Sequence, residues 1–133
     1  MVETGSQKTI LLVENEQNIR ELFAMALIKA GFNIVMAENG EQGVAQALKH
    51  HPDLIMLDID MPLMNGHEAA KKIREDEWGK HARIIFLTNH SDPQSVAHAV
   101  LLKPEDYIVK VNTPVSEIVN QVRTATYGTS RTF

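Results

Sequence analysis

The stretch LIMLDIDMPLMNG, Leu54–Gly66, decides the fold. It opens as a continuous apolar run, which suits a strand covered on both faces of a sheet. Asp58 and Asp60 then interrupt it, although burying an unpartnered carboxylate is costly. Met61–Gly66, with Pro62 and Gly66, reads as a turn that returns the chain to a helix. A covered strand that ends in acids and turns back into a helix is one unit of an α/β sheet. The acids at its end point to a site.

Working outward, apolar and mostly β-branched runs recur at Thr9–Val13, Asn33–Ala37, Asp53–Ile59, Arg83–Thr88 and Tyr107–Val111. Helical spacing separates them. Ile19, Leu22, Phe23, Ala26, Leu27 and Ala30 follow one helix face, and Gly31 stops that helix. Val115, Ile118, Val119 and Val122 repeat the pattern behind Pro114, placed as a first helical residue. Further helices are expected over Glu41–His50, Gly66–Asp76 and Pro93–Leu102. Strand–helix alternation of this kind predicts a mostly parallel sheet wrapped by helices.

The 133 residues suffice for one domain with a real core. We expect that domain over 8–127, with polar, flexible ends at 1–7 and 128–133. The absence of cysteine excludes disulfides and thiolate metal sites. A net charge of −4 argues against a nucleic-acid footprint. No apolar run approaches the roughly 20 residues of a membrane span, and MVETGSQ has no signal-peptide pattern. These features suit a cytoplasmic protein with no membrane contact.

In open α/β sheets, ligands bind at the carboxyl ends of the strands, near the point where strand order reverses. The residues expected there are Glu14, Asn15 and Glu16 from strand one, Asp58 and Asp60 from strand three, Thr88 and Asn89 from strand four, and Lys110 from strand five. Strand two ends at Ala37 and Glu38 without a comparable group. Clustered carboxylates want a cation. Oxygen ligands with room for water suit Mg²⁺. A carboxylate beside such an ion can attack phosphorus to form an aspartyl phosphate. Lys110 then offers a point charge, and Thr88 a hydroxyl donor, to phosphoryl oxygens.

ILLVENE, LDIDMPLMNG, IIFLT and DYIVK, in that order over residues 8–126, resemble the receiver domain of two-component response regulators. In size the chain is most similar to single-domain chemotaxis-type receivers. The resemblance implies a flavodoxin-like, doubly wound five-stranded parallel sheet of order 2-1-3-4-5 with five surrounding helices. It implies that Asp58 accepts a phosphoryl group from a histidine kinase or phosphotransfer protein. Glu14, Asn15, Asp58 and the backbone carbonyl of Asp60 would hold Mg²⁺. Thr88 and Tyr107 would act as switch residues, Lys110 as the phosphate-binding lysine, and Asp60 and His90 would tune dephosphorylation. The implied protein is no enzyme beyond Mg²⁺-dependent self-phosphorylation and self-dephosphorylation. It would be a monomer or weak dimer that switches an unnamed downstream protein in a phosphorelay.

The chain departs from the family pattern at Asn15, where a second acid is usual, and at Asn89, where a small residue is common. It departs again at Val111, where proline is usual and often cis. These departures motivate an alternative, a pseudo-receiver that binds partners without phosphate. A second alternative is a phosphatase of the haloacid-dehalogenase type, suggested by Asp58-x-Asp60. Plainer readings compete for single residues. Glu14 and Asn15 suit N-capping of the first helix, Thr88 suits any strand, and Tyr107 suits a sheet edge. Trp78, in EDEWGK, reads as loop or surface packing, and the six histidines show no ligand spacing.

Overall fold

In the computed structural model, residues 7–89, 106–110 and 113–128 are described. In chain order the elements are β1 Thr9–Val13, α1 Gln17–Lys29, β2 Asn33–Ala37, α2 Gly40–His50, β3 Leu54–Asp58, α3 Gly66–Glu75, a 3-10 turn Trp78–His81, β4 Ile84–Thr88, β5 Asp106–Val109 and α4 Val115–Tyr127. Four α-helices thus lie among the described residues. The helix expected over Pro93–Leu102 falls outside them, as do His90 and Val111. The strands form one sheet in the order β2-β1-β3-β4-β5. Every adjacent pair is parallel, with Leu11↔Ile55, Ile55↔Ile84 and Phe86↔Tyr107 in register.

Side-chain alternation builds two cores from these strands. Leu11, Val13, Ile55, Leu57, Ile84 and Phe86 face Ala47, Ala69, Ala70 and Ile73 of α2 and α3. Ile10, Leu12, Leu54, Met56, Ile85 and Leu87 face Phe23, Ala24 and Leu27 of α1 and Ile118 and Val122 of α4. Both faces are therefore covered, which is why β3 and β4 are buried at every position and read as unbroken apolar runs. Each such side chain contributes roughly 1.5–3 kcal/mol through burial. β2, at the edge, is buried only at Ala37.

Caps set the helix starts that face the site. Asn39 Oδ1 accepts the Gln42 N–H at 2.8 Å. At α3, Asn65 and Glu68 form a reciprocal capping box, with bonds of 2.9 and 3.0 Å. Gly31 follows α1 at φ 104°, a left-handed position that glycine takes without strain.

The structure corrects four expectations. Leu22 lies off the core face of α1 and is exposed, forming an outward ridge with Met25 and Ile28. The apolar spacing there is broader than the face that packs. Pro114 is the extended N-cap of α4 and not its first helical residue. Neither Glu14 nor Asn15 caps α1: its N-cap is Glu16, without a side-chain bond. Trp78 is no loose loop residue. It packs against the α2/α3 core and stacks on His51, with ring centroids 4.6 Å apart and planes 7° from parallel.

Candidate functional site

The carboxyl ends of β1, β3 and β5 bring three charges together. Lys110 Nζ donates to Glu14 Oε1 at 2.9 Å and lies 3.4 Å from Asp58 Oδ1. Glu14 and Asp58 are 0% exposed, and the Lys110 side chain 3%. The burial follows from the sheet: β1 and β3 are its central neighbours, so a residue one step past Val13 or Leu57 is still flanked by strands. Thr88, likewise 0% exposed, ends β4, one residue past the Asp58 partner Leu87. Its carbonyl accepts the Lys110 N–H at 2.7 Å, which fixes the root of the lysine.

Local backbone holds the acids in place. The Asp60 N–H donates to Asp58 Oδ1 at 3.0 Å, and the Glu16 N–H to Glu14 Oε2 at 3.1 Å. The exposed Asp60 turns its carboxylate toward the Asn89 N–H, 3.3 Å away, linking the ends of β3 and β4. Gly66 closes the loop behind Asp58. A Cβ there would stand 2.5 Å from the Asp58 carbonyl oxygen and 2.8 Å from Ile59 Cα. Only glycine lets α3 start so near the strand it follows.

Electrostatics match this enclosure. Burial raises the Asp58 carboxyl, and the Glu14 charge raises it further. Lys110 and the Asp60 N–H oppose both, leaving it at about 7. Burial pulls the Lys110 ammonium down, but its bond to Glu14 and the Asp58 charge outweigh that, and its pKa is raised. One ammonium thus serves two carboxylates, and the site calls for a further positive charge.

Asp58 Oδ2 is buried and has no hydrogen-bond partner among the described residues. A buried carboxylate oxygen left unpaired is costly. A hard divalent cation would satisfy it, with Glu14 supplying a second oxygen. No group of three or more His, Cys, Asp or Glu side chains that could hold a metal occurs among the described residues. Glu14 and Asp58 suit a cation that takes only one or two protein carboxylates and completes its shell with water.

The structure brings Glu14, Asp58 and Lys110 into contact and sets Thr88 beside them through the backbone. Asn15 is exposed next to Glu14. Tyr107 lies in β5, but its side chain falls outside the described residues, as does His90. One participant went unnoticed in the sequence. Arg20 Nη1 donates to the Glu14 carbonyl at 2.7 Å and so braces the start of the loop. The available signal was a cation in the early turns of α1, against the preference of that helix end. Trp78 stands before β4, and its stacking partner His51 before β3. Both are at the amino ends of the strands, opposite the acids, so Trp78 is badly placed to report on the site.

A family model described as the response regulator receiver domain matches residues 10–123. The chain belongs to that family. This receiver is 37% identical over 107 residues to the phosphate regulon transcriptional regulatory protein PhoB of Pseudomonas aeruginosa, covering 80% of this chain and 47% of that one. It therefore spans about half the length of the curated relatives it matches. Among solved structures, the signal receiver domain of a histidine kinase from Syntrophus aciditrophicus superposes with a TM-score of 0.82 at 26% identity, covering 95% of each chain. A CheX–CheY–BeF3–Mg²⁺ complex from Borrelia burgdorferi matches with a TM-score of 0.80 at 26% identity, covering 88% of this receiver and 87% of that chain. No helix among the described residues is long and apolar enough to cross a membrane.

Proposed function

We propose that this receiver takes a phosphoryl group on Asp58 from a phosphohistidine in a sensor kinase or phosphotransfer protein, and thereby switches its binding to a downstream protein. The carrying observation is the meeting of Glu14, Asp58 and Lys110 at the carboxyl edge of the sheet, with Asp58 Oδ2 left without a hydrogen-bond partner among the described residues. The Asp58 carboxylate oxygen that the ion does not take attacks phosphorus. A P–O bond forms, the P–N bond breaks, and its electron pair leaves with the imidazole. Bound Mg²⁺ supplies charge neutralisation, and its proposed ligands are Glu14, Asp58, the Asp60 carbonyl and the uncharged Asn15. The Mg²⁺ in the similar CheX–CheY complex from Borrelia burgdorferi supports that choice of ion.

The chain's own groups do the remaining work. Lys110 shifts from Asp58 toward a phosphoryl oxygen, and the Thr88 hydroxyl donates to another. Asp60 and His90 are assigned the tuning of dephosphorylation. Tyr107 follows Thr88, so that a local charge change biases two packings of the β4–β5 face. Turnover is limited to self-phosphorylation and self-dephosphorylation. Incubation with Mg²⁺ and phosphoramidate should add one phosphoryl group to the intact protein, seen by mass spectrometry and lost in Asp58→Ala. No adduct on the wild type would sink the reading.

A second reading is favoured by the complete closure of Asp58 under a seated Lys110. In it the buried triad is structural, and the domain binds partners without phosphate. Partner affinity would then be the same with and without phosphodonor, and unmoved by Asp58→Asn.

A further inference from the structure

Leu63 stands in the loop that runs from Asp58 to α3. It is 104% exposed, and its φ is 69°. An aliphatic side chain in water and a bulky residue in the left-handed region are both unfavourable. Glycine or asparagine would suit that backbone better. Nothing in the packing of the fold explains Leu63.

The loop is nevertheless well held. Met61 is buried and Met64 packs against the α2/α3 core. The Met61 N–H donates to the Ile59 carbonyl at 3.0 Å, and the Met64 N–H to the Pro62 carbonyl at 2.8 Å. Leu63 is therefore presented in a fixed position, which lowers the ordering cost of binding. Beside it lies a cavity of about 260 Å³, lined by Asn39, Gly40, Glu41, Pro62, Leu63 and Met64.

Charge selects the occupant. Glu38 and Glu41 are exposed at the start of α2, and no ion pair involves either among the described residues. Among the described residues no Lys or Arg lines the cavity. A second copy docked on this patch about a two-fold axis would set these acids against their own counterparts. A basic partner would not meet that repulsion.

From this rigid apolar knob, its adjoining cavity and the acidic rim, we infer that Leu63 and the start of α2 dock the protein phosphodonor. The donor contributes an apolar side chain flanked by Lys or Arg. The inference rests on the reading of Asp58 as phosphoacceptor, whose loop carries the knob.

The test compares two donors on the full chain. One is phosphoramidate with Mg²⁺. The other is the purified, autophosphorylated histidine kinase of the source organism that loads the wild type fastest. Leu63→Asn should lower kcat/KM from the kinase about ten-fold, as loss of a central anchor does, while the phosphoramidate rate and melting temperature do not fall. Glu41→Lys should lower kinase transfer in the same direction. Unchanged kinase transfer in Leu63→Asn overturns the inference, and so does an equal loss with phosphoramidate. Unchanged transfer in Glu41→Lys overturns the basic partner. A wild type that takes no phosphate from phosphoramidate removes the phosphoacceptor reading, and this inference with it.

Discussion

Lys110 Nζ and Glu14 Oε1 meet at 2.9 Å although 96 positions separate them in the chain. The pair is closed to solvent, and Asp58 shares the same ammonium at 3.4 Å. Lys110 is thus the resident cation of a site with two negative groups, and its removal or replacement gives the sharpest tests.

Lys110→Ala leaves two carboxylates buried without a cation. Removing one partner of a buried pair costs about 3–5 kcal/mol. The metal-free variant should lose stability on that order at pH 8 in urea unfolding. Added Mg²⁺ should restore more of it than it adds to the wild type. Equal stability of variant and wild type would show that the ammonium contributes no net energy.

Asp58 gives a pH dependence whose sign is fixed. Its folded pKa, about 7, lies above the ordinary 3.8. The folded state therefore binds more protons than the unfolded state between those values, and stability falls as pH rises through the window. Below it, the protonated acid carries no penalty. Asp58→Asn should stabilise the metal-free protein by about 4 kcal/mol at pH 8, at about 1.4 kcal/mol per unit. The gain should vanish near pH 4. Denaturation midpoints at several pH values, with chelator present, measure it.

Asn15 lies exposed beside Glu14 and contributes no charge. Asn15→Asp should tighten Mg²⁺ binding about ten-fold, an added charge near the ion being worth on the order of 1 kcal/mol in a high-dielectric setting. Isothermal titration calorimetry reads it directly. An unchanged, tight wild-type affinity would mean that position 15 does not face the ion.

Gly66→Ala would drive its new Cβ to 2.5 Å from the Asp58 carbonyl oxygen, a backbone atom in a central strand. Relief requires moving either α3 or the end of β3. The expected cost is about 1–3 kcal/mol, with a fall in phosphorylation rate because Asp58 moves too. A crystal structure of the variant with Asp58 undisplaced and full stability would contradict this.

The sequence by itself determined the parallel α/β architecture and the residues at the strand ends. Its runs of Leu, Ile and Met are continuous where both faces are covered, and turn chemistry at Met61–Gly66 is local. Three choices came only from the tertiary structure. Leu22 fits the helical repeat of α1, yet it is exposed, because what packs opposite a helix is not written in its own spacing. Glu14 and Asn15 suit a helix cap, yet Glu14 is drawn inward by Lys110 from the far end of the chain, and Arg20 braces the Glu14 carbonyl. Trp78, in an acidic stretch, is claimed by His51 across the sheet end. In each case the deciding interaction joins segments distant in sequence, and its energy exists only once the sheet has assembled.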